Sequence, residues 1–451
     1  MNEHQPPEGN PEPPKFDPNA AHMQRPKLRA VRGFPAKMGD QTVLGLADAR
    51  QVSSKMVFTA PAAQMILPHL TGEKSLSEVL QVVGKGLTQE TLEQLVAQLD
   101  DAGLLEGPTY QAIWEQVKAD FDSADLLPPA TTAAFADSLV GPQPDTGELD
   151  EDERARLGAA KMTEIFDTWI DKALENVEKP SFDSLPKAVV APHIDYGRGW
   201  MNYAAVWGRL RVVDRPDRVV ILGTNHFGHG TGVVGCEKGF ETPLGSCEVD
   251  TELVSLLRSK LGDGLFEHQY DHEREHSIEL QVPWIQHCLG RDESGAHCRI
   301  FGALVHDPAV NNGESYDGTG IAIQAFVDAL KESIDSLDGT TLVVSSADLS
   351  HVGPAFGDKR SLVGDEPEVK AIRDKTFSHD RELLEMVRQN KPTDLVSSMA
   401  WQQNPTRWCS TGNLVATLMT VEPDDVQLLN YAAAMDSQGM SLVSTSAMAM
   451  F

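Results

Sequence analysis

The chain has 451 residues, 41% of them hydrophobic, enough for a large buried core spread over two or three domains. Its formal net charge of −29 repels phosphate backbones and anionic bilayers, so no nucleic-acid or membrane partner is expected, and solubility accounts for most of the acidity. No apolar run reaches the roughly eighteen residues of a bilayer span.

Residues 1–26 open with MNEHQPPEGNPEPPKFDPNA, which is Pro-rich and acidic and lacks the apolar stretch of a secretory signal. A disordered tail is expected there. Cys236, Cys247, Cys288, Cys298 and Cys409 are odd in number, scattered, and free of any C-x-x-C pair. That pattern predicts reduced thiols in a cytoplasmic protein, with neither a disulfide framework nor a closed zinc clip.

Residues 27–107 read as a small domain. QTVLGLADAR and KMVFTA are predicted strands, and PAAQMILPHL, opened by Pro61, is a predicted helix. SLSEVLQVV and TQETLEQLVAQLDDAGLL supply two more helices. In the last, Thr88 is the expected N-cap, Leu92, Leu95, Val96 and Leu99 make one apolar stripe, and Gly103 ends it. Strands with three short helices predict a winged-helix-like unit. Its third helix carries Glu90, Glu93, Asp100 and Asp101 without Lys or Arg, the wrong charge for a major groove. The stretch PAAQMILPHLTGEKSLSEVL…LVAQLDDAGLL resembles the PqqD-like peptide-recognition domain. The resemblance implies a peptide held along a sheet edge beside the third helix; a scaffold or oligomerisation module is the alternative.

Residues 108–187 read as a connector. It contains the low-complexity patch VGPQPDTGELDEDER, then the amphipathic helix RARLGAAKMTEIFDTWIDKAL. Met162, Ile165, Phe166, Trp169, Ile170 and Leu174 form its apolar face, expected to pack on the next domain.

Over residues 188–451 the pattern changes to alternating strands and helices. KAVVAPH, RVVILGTNH, CRIFGALV and TTLVVSSADLSH are near-continuous apolar runs, with helical stretches such as GIAIQAFVDALKESI between some of them. This predicts an α/β domain whose central, mostly parallel sheet is covered on both faces. Ligands of such sheets bind off the carboxyl ends of strands. Those ends carry His193, His226, and Asp348 with His351. One strand-end histidine is most simply structural, but three with a carboxylate on one rim make a site.

Two further segments join them. DHEREHSIELQVPW holds His272, Glu273, Glu275, His276 and Glu279; on one helix, His272 and His276 lie a turn apart, as do Glu275 and Glu279. A solvated face explains His272 and Glu273, whereas Ile278, Leu280 and Val282 put His276 and Glu279 near a buried edge. In TRWCSTGNLVATLM, Cys409 stands at the start of a predicted helix, a position that favours the thiolate. A small buried thiol is the alternative. G-x-S-x-G and Walker sequences are missing, and the glycines of GTNHFGHG do not make G-x-G-x-x-G, so neither a serine-hydrolase elbow nor a nucleotide cofactor is expected.

APHIDYGRG, ILGTNH, EHSIELQVPW, SSADLSH and WCSTGNL, in this order over residues 188–451, resemble the MEMO family. Its members include protein B of the AmmeMemoRadiSam system, and its fold is similar to that of the LigB-type extradiol dioxygenases, which hold non-haem iron. The resemblance implies His193, His226 and Cys409 as metal ligands and His351 as acid/base, oriented by Asp348. His276 would line the pocket, and His276 or Glu279 would position substrate. It implies one metal ion, iron or copper, with zinc also compatible. Cys409 stands where the dioxygenases have a carboxylate, and a thiolate shifts preference toward copper or an iron of altered potential, away from catechol cleavage. The function implied is redox or dioxygen-dependent chemistry on a small molecule, or on a protein or peptide shared with a radical-SAM partner. A metal-binding scaffold without turnover and an extradiol-type dioxygenase are the alternatives.

Overall fold

The computed structural model describes residues 13–39, 41–84, 86–141 and 149–451. Residues 1–12 of the predicted tail and residues 142–148 of the low-complexity patch lie outside the described residues. The chain divides into two compact units, Met1–Ser123 and Ala124–Phe451. The first helix of the predicted connector belongs to the first unit and its remainder to the second.

The first unit begins with a helical turn, α1 (Ala21–Gln24), and an antiparallel sheet of β1 (Val31–Met38), β2 (Gln41–Asp48) and β3 (Val57–Thr59), with β2 in the middle. β1 is not among the expected strands, because Gly33 and Pro35 interrupt its pattern; as an edge strand it tolerates a proline. The predicted helix PAAQMILPHL is instead two 3₁₀ turns, Pro61–Met65 and Leu67–His69. Pro68 has no N–H and clashes with the carbonyl one turn back, so an α-helix cannot run through it. The other two helices form as read. α2 (Leu76–Val83) opens on a capping box between Ser75 and Glu78. α3 (Gln89–Asp101) is capped by Thr88, whose Oγ1 accepts from Thr91 N at 3.1 Å, and Gly103 follows it at φ +66°. Its stripe Leu92, Leu95, Val96 and Leu99 is buried, and α4 (Pro108–Ser123) completes the unit.

In the second unit β4 (Leu126–Leu127), α5 (Thr131–Val140) and α6 (Glu151–Leu174) lead into the sheet strand β5 (Ala188–Ala191). Met162, Phe166 and Ile170 of α6 are buried, as its apolar face predicts, and Phe166 stacks on Trp284 with ring centroids 3.9 Å apart. Next in the chain are α7 (Tyr196–Leu210), β6 (Arg218–Thr224), β7 (Val234–Gly235), β8 (Gly239–Thr242), β9 (Gly245–Cys247) and α8 (Thr251–Leu261). Then come α9 (His276–Glu279), α10 (Val282–Leu289), β10 (Arg299–Val305), α11 (Ile323–Ser336), β11 (Thr341–Ser346) and β12 (Asp348–Val352). The unit ends with α12 (Pro367–Arg388), α13 (Pro392–Gln402), α14 (Thr411–Val421), β13 (Val426–Met435) and β14 (Leu442–Met450).

Eight strands form one mixed sheet in the order β12-β14-β5-β11-β6-β10-β7, with β13 also paired to β14. Its centre, β5, β11, β6 and β10, is parallel, while β7, β12, β13 and β14 run antiparallel to their neighbours. The fold is α/β, with a parallel heart rather than a parallel whole. Every residue of β5 and β6 is buried, the mark of strands covered on both faces. The run TTLVVSSADLSH, expected as one strand, is two. β11 stays between β5 and β6, and after Ala347 the chain leaves the parallel centre as β12 to pair with β14. Among the described residues no helix is long and apolar enough to cross a membrane.

Candidate metal centre

Three neighbouring parallel strands, β5, β11 and β6, end on the same rim, and the segments leaving that rim build the site. His193 stands two residues past β5. Its backbone N–H and that of Ile194 donate to Asp348 Oδ1 at 2.8 and 3.1 Å. Its Nδ1–H donates to the Ser346 carbonyl at 3.0 Å, which turns Nε2 toward Cys409 Sγ at 3.3 Å.

His226 stands two residues past β6. Its backbone N–H donates to Glu275 Oε2 at 2.8 Å and its Nδ1–H to Glu275 Oε1 at 3.0 Å. Glu275 is 3% exposed and caps α9, accepting from Ser277 N at 2.9 Å. Ser277 Oγ in turn accepts from Thr224 N at 3.0 Å, which locks α9 to the end of β6. The loop beyond His226 is wrapped around Asp271, whose carboxylate accepts from Asn225 Nδ2, His229 N and Gly230 N at 2.8–2.9 Å. A Cβ on Gly228 would lie 2.2 Å from both Asn225 Oδ1 and that carboxylate, so the glycine of NHFGHG is a steric requirement.

Cys409 ends a loop in which Gln403, Asn404 and Arg407 adopt φ of +58°, +45° and +58°. Non-glycine residues adopt this backbone at a cost of order 1 kcal/mol or more each, and only when their surroundings enforce it. Asn404 does part of the enforcing: Nδ2 donates to Trp408 O at 2.8 Å and Oδ1 accepts from Trp408 N at 2.7 Å. One turn into α14, Asn413 Nδ2 donates to Thr224 Oγ1 at 3.0 Å and to Ser346 O at 2.6 Å, tying the helix to the ends of β6 and β11.

One donor atom from each of His193, His226 and Cys409 lies within 4.8 Å of the others, and a second group of His226, Glu275 and His276 meets the same limit. The His193 and His226 rings are perpendicular with centroids 5.1 Å apart; His276 stacks on His226 at 5.1 Å. Both strand-end imidazoles have Nδ1 engaged by an oxygen acceptor, which assigns their proton to Nδ1 and leaves Nε2 as the donor atom. Two oriented imidazoles and one thiol therefore suit a soft or borderline transition metal.

The charges agree. Burial pushes the Cys409 thiol up, but the His193 and His351 charges and hydrogen bonds from His193 and His226 more than reverse that, holding it well below the ordinary thiol range. Burial lowers His226, yet the Glu275 carboxylate and Cys409 raise it well above its usual value, and His193 is raised in the same way by Asp348 and Cys409. Glu275, which burial alone would raise, is held well below the carboxylate range by His226. His276 is different: burial, with the neighbouring imidazoles, lowers it to about 4. All three directions favour the Cys409 thiolate beside protonated His193 and His226.

The residues singled out in the sequence fare differently. His193, His226, Cys409 and His276 come together. Asp348 is beside them, Oδ2 3.9 Å from His193 Nε2, but it holds the backbone at His193 rather than orienting His351. His351 Nδ1–H is taken by the Leu349 carbonyl at 2.9 Å and its ring edge meets Phe356. Glu279 is turned elsewhere: it accepts from Ala130 N, Thr131 N, Thr132 N and Thr132 Oγ1 at 2.7–3.2 Å, which makes it the anion at the start of α5 rather than a substrate contact. The single helix read in DHEREHSIELQVPW is a 3₁₀ turn, Gln269–Glu273, then α9 and α10, because Glu275 begins a new helix. His272 consequently points into the core, its Nε2 2.9 Å from Val234 O. Sequence reasoning misses Glu275 and Asp271 as site builders. The cue is a carboxylate two residues before Ser277, at the head of the apolar SIEL.

An α/β sheet that presents two histidines and a cysteine at its carboxyl rim defines the class of protein. The profile of the family described as Memo-like protein matches residues 160–451, more than half of the chain. The MEMO1 family protein MK0963 of Methanopyrus kandleri is 30% identical over 257 residues, covering 56% of this chain and 77% of that protein. The MEMO1 family protein of Thermotoga maritima is 28% identical over 262 residues, 57% of this chain and 79% of its own. A third, from Caldivirga maquilingensis, is 32% identical over 168 residues, 37% of this chain and 54% of its own. The chain belongs to the Memo-like family.

Proposed function

We propose that the second unit binds one redox-active metal ion, iron or copper, through His193, His226 and Cys409, and uses it for redox or dioxygen-dependent chemistry. The observation that carries this reading is the convergence of the three donors with both Nδ1 atoms already occupied. The bound ion would supply one-electron chemistry and a meeting place for substrate and oxidant. The chain's own residues do the rest. Glu275 and the Ser346 carbonyl fix which imidazole nitrogen faces inward, and Asp348 holds the turn that carries His193. His351, with Nδ1–H given to Leu349, keeps an unprotonated Nε2 when neutral and can take a proton there from a bound hydroxyl.

The first unit receives the partner in this reading. β3 is an edge strand, and beside it Phe58, Ala63, Ile66, Leu87 and Leu95 line a cleft of about 400 Å³. An extended peptide, or the radical-SAM protein that presents it, adds to such an edge. Removing residues 27–107 should then abolish that association and leave the metal content unchanged.

The primary test is elemental mass spectrometry on protein purified without oxygen, as wild type and Cys409→Ser. Near-stoichiometric iron or copper that is lost in the variant supports the reading. Equal metal in both, or none in either, removes Cys409 as a ligand.

A further inference from the structure

Asp380 of α12 is fully buried, yet the proposed metal chemistry does not use it. Its carboxyl group takes four side-chain hydrogen bonds. Ser350 Oγ and Trp408 Nε1 (2.7 Å) donate to Oδ1; Tyr431 OH (2.6 Å) and Ser444 Oγ donate to Oδ2. Those donors come from β12, the Cys409 loop, β13 and β14. Two of them adjoin the site directly, since Trp408 precedes Cys409 and Ser350 precedes His351.

The lacing continues between the same two segments. Thr406 Oγ1 lies 2.7 Å from Ser350 Oγ, His351 N donates to Thr406 O at 2.7 Å, and Arg407 Nε donates back to His351 O at 2.8 Å. The loop so held is the one with three left-handed residues, a backbone that relaxes when its clamps are removed. A buried network of this kind fixes one arrangement only while every member is satisfied.

We propose that Asp380 is a positioning residue for Cys409: through Trp408 and Ser350 it holds the strained loop against β12 so that Sγ faces His193 Nε2. Its effect on metal binding rests on the reading of Cys409 as a ligand; its effect on the thiol does not. Cys409 is the one partly exposed cysteine of the five, so native-state alkylation by iodoacetamide, located by peptide mass spectrometry, reports it in metal-free protein.

Three variants separate positioning from general packing. Asp380→Asn leaves the Trp408 N–H facing an amide that cannot satisfy all four donors. Trp408→Phe cuts the link nearest Cys409, and Tyr431→Phe removes one of two bonds to Oδ2, which Ser444 keeps satisfied, on the side away from the loop. Asp380→Asn and Trp408→Phe should raise Cys409 alkylation about tenfold, weaken copper binding about 10- to 100-fold and shift the copper–thiolate absorption band, while Tyr431→Phe moves none of these. Wild-type alkylation rates in folded Asp380→Asn and Trp408→Phe overturn the proposal, and if Asp380→Asn does not fold, Trp408→Phe decides alone. A wild type that shows a thiolate charge-transfer band with neither copper nor iron defeats the ligand reading instead, and the alkylation ratios still judge Asp380.

Discussion

Glu275 accepts four hydrogen-bond contacts from a buried position; three reach His226 and the fourth holds the helix beside it. Carboxylates behind ligating histidines set ring orientation and basicity, and losing them typically costs 10- to 100-fold in metal affinity. Glu275→Gln should weaken iron or copper binding by about that factor, read by competition with a chelator, while the far-ultraviolet circular dichroism stays native. Gly228→Ala belongs to the same scale: the added methyl collides with the Asp271 carboxylate, so it should lower both thermal stability and metal affinity. His193 and His226 were legible because each follows an apolar run and breaks it with a polar residue, and Cys409 because it stands at the head of a predicted helix. Glu275 and Asp271 were not, since in a run such as YDHEREH a buried carboxylate and a solvated one look alike until their backbone partners are known.

Elements were legible where a local rule decided them. Thr88 and Gly103 bracket α3 because capping and left-handed backbone are properties of a few consecutive residues. The helices read across Pro68 and across Glu275 failed because periodicity continues through a break that one backbone group imposes. Glu279 shows the cost of reading chemistry from spacing alone. Glu279→Ala leaves the first N–H groups of α5 and Thr132 Oγ1 without their acceptor, so thermal unfolding should register a loss of about 1–3 kcal/mol. Metal affinity should be unmoved; a drop in affinity without a drop in stability would return Glu279 to the site.

At the scale of the molecule, two buried features set conditions for stability. Arg218 Nε meets Asp250 Oδ2 at 3.0 Å with both side chains at most 2% exposed, bridging β6 to the start of α8. Asp250→Ala strands that guanidinium and should cost about 3–5 kcal/mol in denaturant unfolding. His272 sets a pH window. Burial lowers it from 6.5 to about 4, so the fold keeps it neutral while the unfolded chain protonates it below 6.5. Its contribution is whole above pH 6.5 and disappears as the pH falls to 4, a loss of about 3 kcal/mol. Because other histidines titrate in the same window, the difference in unfolding free energy between wild type and His272→Gln, measured from pH 7 to 4, should carry that slope. A difference that does not vary with pH would mean the imidazole is hydrated in the fold.

The cluster's donors are spread widely along the chain: His193 and Cys409 are 216 residues apart. On a ribosome, both histidines and most of the parallel sheet are made long before the cysteine. Asn413 of α14, which ties the ends of β6 and β11, and β14, which pairs with β5, come later still, so the rim is complete only when the whole chain is made. In the proposed reading loading waits for the Cys409 loop, and the ion would seal a finished fold rather than nucleate it.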